Sequence, residues 1–325
     1  MKRTLPALVA LLIVACIGAP AAAGEPPSPQ ANSPTGATLT VTTVNTGRED
    51  AVLVGKTFGV HGVVKPYQVG QQVTVTLTQR GKTVQQTTLA ISPNPSGDGT
   101  GVFDVSYTPS ASGKITIKST TTATPEQPAL TEDGVLVTVL GRHVKNGAHG
   151  VSVREMQRLL ARKGFVVGKR GVYDSRTARA VMAFRKVTGM KRNFVANKAV
   201  MSALVNGRGN FKVKFPKHGR HVEGDLSRQV LVFANGSKII RIYPMSSGKP
   251  STPTVRGSFR VYSKTPGTNA KGMVDSSYFI RGYAIHGYAE VPPYNASHGC
   301  LRVPVPDALS IFHWVHPGTR VDTYA

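Results

Sequence analysis

The apolar residues change their spacing twice along the chain, and those two changes limit the fold more than any other feature. From Thr38 to Leu140, β-branched runs alternate with a period of two: Thr38 to Thr42, Gln72 to Thr78, Lys114 to Lys118 and Val135 to Val139. That period gives each strand one buried and one solvated face. Turn stretches such as Arg80-Gly81-Lys82 and Ser96-Gly97-Asp98-Gly99 separate the runs, so residues 38–140 are predicted to form an immunoglobulin-like β-sandwich. Between 145 and 206 the period becomes helical, with Val153, Met156, Leu159 and Leu160 on one face and Ala178, Val181 and Phe184 on another. Ser152 and Glu155 are placed as a capping box, Asp174 as the cap of a second helix and Asn197 as the cap of a third. From 211 to 325 the period returns to two, through Val230 to Ala234, Ile239 to Tyr243 and Ser258 to Tyr262. Asn235-Gly236 signals a hairpin with a bulged loop, and Pro306 to His316 is the one helix expected there. The expected fold is therefore multidomain: β-sandwich, small helical bundle, mainly β domain.

The first residues read as an export signal: a cationic Met1-Lys2-Arg3, an apolar run from Leu5 to Ala15, and the small residues Ala21-Ala22-Ala23 for cleavage. Residues 1–23 are taken as the leader and 24–37 as a disordered linker rich in Pro, Ser and Ala. Ile13-Val14-Ala15-Cys16 also resembles a lipobox, so a lipid anchor at Cys16 stays open beside soluble release. Either route puts the chain outside the cytoplasm, in the bacterial envelope. The 325 residues carry 40 Lys and Arg against 16 Asp and Glu, a net charge of +24. Twenty of those bases fall between Arg142 and Arg220, opposed only by Glu155 and Asp174. Such a charge attracts polyanions. Export and the lack of any helix-turn-helix, zinc-finger or aromatic sheet motif argue against nucleic acid and leave the anions of the envelope: wall glycopolymers, acidic phospholipids and peptide carboxylates.

Chemistry concentrates near the end. With the leader removed, Cys300 is the only thiol, and an exported cysteine without a disulfide partner points to nucleophilic catalysis. A thiol at its reference pKa of about 8.5 is mostly protonated at neutral pH and needs a base. His286 and His298 are both candidates, and residue chemistry alone does not choose between them. Gly299 allows a tight turn that brings amides to a developing oxyanion. A zinc site built from His286, His298 and Cys300 competes, but it lacks a second cysteine pair or a His-Glu-x-x-His helix. Taken singly, Cys300 reads equally well as an inert buried thiol.

Two resemblances add to this. Val153, Met156-Gln157-Arg158-Leu159-Leu160, Gly164, Gly171-Val172-Tyr173-Asp174, Thr177, Ala180-Val181 and Phe184 resemble the three-helix peptidoglycan-binding domain, departing at Arg185, where glutamine is common. His286-Gly287, Ser297-His298-Gly299-Cys300 and Arg302, with Tyr278-Phe279 and Gly282-Tyr283-Ala284 upstream, resemble the L,D-transpeptidase family across nearly the whole last domain. The resemblance implies Cys300 as nucleophile and His286 as base. It also implies a wall of His298, Gly299 and Cys300 orienting that histidine, Ser297 holding the loop, and Arg302 fixing the motif or meeting a substrate carboxylate. Gly287 is expected to line the cleft, and Tyr278, Phe279 and Tyr288 either to line it or, equally, to pack in the core. The implied reaction joins peptidoglycan tetrapeptide stems through a 3–3 crosslink with release of D-alanine, needs no cofactor and is sensitive to carbapenems. An L,D-carboxypeptidase or endopeptidase, in which water resolves the same acyl-enzyme, and an inert wall-binding protein are the alternatives. The helical domain is expected to serve wall retention more than turnover.

Overall fold

The computed structural model describes residues 36–325. The expected leader, Cys16 and nearly all of the expected linker lie outside the described residues. No described helix is long and apolar enough to cross a membrane.

Residues 38–140 form two sheets. One runs in the order Thr38–Val44, Phe58–Lys65, Gly101–Tyr107 and Ser92–Pro93. The other runs Ala51–Leu53, Thr131–Leu140, Gly113–Thr121, Gln72–Gln79 and Lys82–Ala90. Their apolar faces meet in one core: Val41, Phe58, Val60 and Phe103 from the first sheet pack with Val75, Leu77, Ile115, Ile117 and Val137 from the second. The period-two residues read from sequence are the buried ones, as in Gln72–Gln79, where Val73, Val75 and Leu77 are wholly inaccessible.

Three helices follow: α1 (Val151–Ala161), α2 (Ser175–Val187) and α3 (Lys198–Val205). Asp174 caps α2 by accepting from the Thr177 N–H, and Asn197 caps α3 by accepting from the Val200 N–H. The capping box at Ser152 is not formed. Helix α1 begins two residues earlier, after Gly150, whose φ of 107° suits glycine and leaves Ser152 inside the first turn. The Ser152 hydroxyl instead accepts from the Gly141 N–H at 2.9 Å, tying the end of the sandwich to the bundle, and Glu155 pairs with Arg158 at 2.5 Å. Arg185, the departure noted above, is buried and donates to the carbonyls of Val195 and Lys191.

The last region holds two sheets and one helix. A five-stranded sheet runs Lys238–Pro244, Val230–Asn235, Arg220–Asp225, Arg320–Tyr324 and Gly257–Arg260; a four-stranded sheet runs Ser263–Thr268, Val274–Ile280, Tyr283–Tyr288 and Leu301–Pro304. Val222, Leu231, Phe233 and Tyr243 from the first meet Phe279, Ile285, Leu301 and Val303 from the second. Helix α4 (Val305–Trp314) covers them with Ile311, and it stops before Val315, which is extended. Trp314 is a packing residue, edge-on to Phe233 and stacked by Arg220. The Asn235-Gly236 hairpin closes with Asn235 opposite Lys238, so the loop is two residues long. The extra residue expected in the loop lies within the strand, where the register shifts beside Phe233 and Ala234.

The bundle does not hang free. Its core continues into Val230, Val232 and Ile242 of the last region, and into Ala51, Leu53 and Leu140 of the sandwich. Arg176 and Arg179 of α2 bind Asp307 of α4 at 2.8 and 3.1 Å. Several of the bases that made residues 142–220 look like an adhesive surface are thus used inside the molecule.

Candidate active site

Strands Tyr283–Tyr288 and Leu301–Pro304 pair in parallel, with Ile285 opposite Leu301 and His286 opposite Arg302. Parallel neighbours cannot be joined by a tight turn, so residues 289–300 must run back along the sheet before the second strand begins. Side chains two apart on a strand share a face, and so do paired residues. His286 and Arg302 therefore share a face, with Tyr288 two residues beyond His286 and Cys300 two residues before Arg302. That register gathers the fourteen-residue separation into one cleft of about 500 Å³, lined by His286, Tyr288, Ser297, His298, Cys300 and Arg302 together with Lys271, Met273, Arg281, Gly282 and Tyr283.

The loop that carries the thiol is tightly held. Ser297 Oγ donates to the Cys300 carbonyl at 2.6 Å and accepts from the Gly299 N–H at 3.1 Å. The Ser297 and Ala296 N–H groups both donate to the Ser247 carbonyl. Gly299 has a φ of 113°, and a β-carbon there would lie 1.9 Å from the Tyr283 ring, so the position admits only glycine for two independent reasons. Gly287 is excluded from bearing a side chain by Ala308 of α4, 2.6 Å from where its β-carbon would be.

His286 is 3 % exposed, and its Nδ1 lies 2.8 Å from the Gly287 carbonyl. A carbonyl only accepts, so Nδ1 carries the proton and Nε2 is the basic nitrogen. Burial pushes His286 down to about 4, against the raising effect of the Gly287 carbonyl and with Arg302 adding to the fall. Burial also pushes the Cys300 thiol up, while the Ala284 backbone, Arg302 and Lys271 draw it back. Both groups are therefore neutral at rest. The thiol hydrogen bond runs to the Gly282 carbonyl at 3.8 Å.

Several expected placements differ. The carbonyl that orients His286 belongs to Gly287, its own neighbour, and not to the 298–300 wall. The Gly299 amide is occupied by Ser297, which removes it from the expected oxyanion donors. Arg302 has its guanidinium stacked on Tyr288 at 4.0 Å, while its backbone exchanges two hydrogen bonds with Ser246. His298 is exposed at the rim. Phe279 is a core residue, 3 % exposed, and Tyr278 packs against Tyr262 outside the cleft lining. Their strand alternates, and its apolar face is taken by the sheet interior. Among the described residues no three His, Cys, Asp or Glu side chains converge as a metal-ligand group. Sequence reasoning missed Lys271, Met273 and Arg281, which arrive from a hairpin and a turn that carry no chemical signature.

The model of the L,D-transpeptidase catalytic domain matches residues 219–322, and that of a peptidoglycan binding domain matches residues 149–204. No curated protein matches the chain. Among solved structures, the L,D-transpeptidase (residues 123–326) from Xylanimonas cellulosilytica is 31 % identical, with a TM-score of 0.51, over 56 % of this chain and 98 % of that one. An L,D-transpeptidase from Stackebrandtia nassauensis is 20 % identical over 57 % of this chain and 96 % of that one, with a TM-score of 0.37. The catalytic domain of the Enterococcus faecium L,D-transpeptidase is 27 % identical over 33 % of this chain and 98 % of that one, with a TM-score of 0.29. A three-helix bundle ahead of a mainly β catalytic region, a matched catalytic-domain model and a relative covered almost end to end lead to one conclusion: this chain belongs to the L,D-transpeptidase family.

Proposed function

We propose that the protein is a cysteine acyltransferase that forms 3–3 peptidoglycan crosslinks, with Cys300 as nucleophile and His286 as its base. The observation that carries this reading is the parallel register, which gives His286, Arg302 and Cys300 one face of one cleft. Cys300 Sγ attacks the carbonyl of the third residue of a tetrapeptide stem, and its proton passes to Nε2 of His286. The C–N bond to the terminal D-alanine breaks, and the leaving amine takes that proton. The side-chain amine of a second stem then attacks the thioester and loses a proton to His286; the C–S bond breaks, and that proton passes from His286 to Cys300 Sγ, restoring both neutral groups.

Neutral resting groups suit this sequence. An imidazole far below neutrality stays unprotonated and ready to accept, and a thiol held neutral is less open to oxidation before substrate enters. The Cys300 amide sits beside the reacting carbon and is the oxyanion donor in this scheme, since the Gly299 amide is taken. Arg302, stacked on Tyr288 and without an acid partner among the described residues, meets the stem carboxylate with its donor fork. Ser297 holds the loop, His298 and Gly287 shape its rim and floor, and Tyr288 walls the cleft.

The same reading assigns the rest of the chain. Residues 1–23 direct export, with Cys16 the lipid-anchored residue in the alternative route, and 24–37 tether the folded part within the envelope. Residues 38–140 act as an immunoglobulin-like spacer, 145–206 as a wall-binding module with anionic glycopolymers as further ligands, and 211–325 as the catalytic domain. Carbapenems acylate the same thiol.

Intact mass spectrometry of the protein incubated with a disaccharide-tetrapeptide, beside Cys300→Ala, tests the reaction. An acyl adduct on the parent alone, with crosslinked dimers and free D-alanine, is the expected result. Tripeptide without dimers would turn the reading to carboxypeptidation, and a folded parent giving neither adduct nor product would leave a wall-binding protein.

A further inference from the structure

The bonds that hold the Cys300 loop lead back into the helical bundle. Lys186, in the last turn of α2, is 3 % exposed. Its Nζ donates to the Gln229 carbonyl at 3.1 Å and to the Met245 carbonyl at 2.9 Å. Gln229 immediately precedes strand Val230–Asn235 and Met245 immediately follows strand Lys238–Pro244, so one amine clips together two chain segments of the catalytic region. Gln229 has a φ of 60°, a left-handed conformation that a non-glycine residue keeps only where its surroundings hold it.

From Gln229 the path continues without a gap. Its side-chain amide donates to Ser247 Oγ at 2.6 Å and accepts from the Ser247 N–H at 2.9 Å. The Ser247 carbonyl accepts from Ala296 and Ser297 at 2.8 and 2.9 Å. Ser297 Oγ then fixes Gly299 and Cys300. Beside this chain, Ser246 exchanges backbone bonds with Arg302 and its hydroxyl donates to the Tyr294 carbonyl. The bundle holds the loop at a second point too, because Arg192 donates to the carbonyls of Pro293 and Ser227 at 2.9 Å each.

We propose that Lys186 is a positioning residue for the nucleophile, setting the Ser297–Cys300 loop through Gln229 and Ser247, so that the bundle is part of the catalytic apparatus as well as a wall binder. The inference rests on Cys300 being the nucleophile. A buried amine is costly wherever it is not needed, and a methionine or leucine would fill the same space in a merely adhesive joint. Burial, with Arg192 as a cationic neighbour, pushes Lys186 down to about 7, and charged or neutral it keeps the N–H groups that the two carbonyls require.

The test compares Lys186→Met with Arg176→Ala in the full chain. The first keeps the length of the side chain and removes the donor. The second weakens the same domain joint at Asp307, away from the hydrogen-bonded path. Steady-state kinetics on the tetrapeptide, the rate of Cys300 alkylation by iodoacetamide and the melting temperature are read for each. Lys186→Met is expected to lower kcat and alkylation by about tenfold with KM nearly unchanged, as a small misplacement of the reacting group does. Arg176→Ala should move the melting temperature while leaving both rates within about twofold. Rates that fall in step with stability in both variants would overturn the proposal. If Lys186→Met does not fold, Gln229→Ala decides, since it cuts the next link inside the catalytic region: an unchanged alkylation rate would overturn the proposal, and a fall of similar size would support it. Alkylation reports loop position whether or not the stem is a substrate, so a parent inactive on tetrapeptide would count against the proposed function alone.

Discussion

The bundle has two joints, and they are built differently. Toward the catalytic region it inserts Lys186 among backbone carbonyls and sets Arg176 and Arg179 on Asp307, whose side chain is only 2 % exposed. Toward the sandwich it offers Arg158 and Arg162 to Glu49, all at least one-third exposed, with the Ser152 hydroxyl on Gly141 and a small apolar contact through Ala51, Leu53 and Leu140. Buried polar groups demand their partners and hold a geometry, whereas exposed ion pairs contribute little and tolerate movement. The first joint therefore fixes one arrangement next to the cleft, and the second fastens a module whose own core is separate. This also changes the expected division of labour. Deleting the bundle would uncover Val230, Val232 and Ile242 and release the Gln229 and Met245 carbonyls, so turnover would fall along with wall retention.

Four outcomes would sharpen or break that contrast. Asp307→Ala, on the buried joint, should cost about 3 kcal/mol in chemical denaturation, because two arginines lose the acid they surround; a loss as small as that of a surface pair would make the joints equivalent. The catalytic region should also carry an acid sensitivity of its own, centred on His286. His286 accepts a proton more readily unfolded than folded, since burial holds it at about 4 in the native state. Its neutral form therefore supports stability fully above about pH 6.5, and about 3 kcal/mol is lost as pH falls to 4. Denaturation midpoints at pH 7 and pH 4 should converge in His286→Gln, and a persistent gap would assign the acid sensitivity elsewhere. On the outer joint, Ser152→Ala removes one hydrogen bond to Gly141 and should cost about 1 kcal/mol by the same measurement. Glu49→Gln should cost less still, under about 1 kcal/mol and diminishing with added salt. If Glu49→Gln proved as damaging as Asp307→Ala, the outer joint would be as rigid as the inner one.

Much of this was legible in the residues. The alternation of Val73, Val75 and Leu77 and the helical spacing of Val153, Met156 and Leu160 predicted which side chains are buried, because local period and burial have one geometric cause. Asp174 and Asn197 were legible as caps because capping is a contact within one turn. Ser152 was not, since Gly150 could open the helix two residues sooner and the serine then found a partner eleven residues back. In the cleft, Cys300, His286, Ser297 and Arg302 stood out because their residue types are reactive and closely spaced. Phe279 and Tyr278 stayed open between core and cleft because an aromatic reads alike in either place, and the structure puts Phe279 in the core.

By itself the sequence determined the two changes of pattern, the single thiol of the described residues and the chemistry that thiol can perform, all of which depend on residue type and short-range spacing. Tertiary structure alone decided that His286 and Cys300 line one cleft, that Gly287 supplies the orienting carbonyl, and that a lysine from the bundle holds the strands beneath the loop. The reason is physical. Strand register and the burial of one amine among distant carbonyls are set by the packing of segments tens of residues apart, and no local pattern encodes which segments those will be.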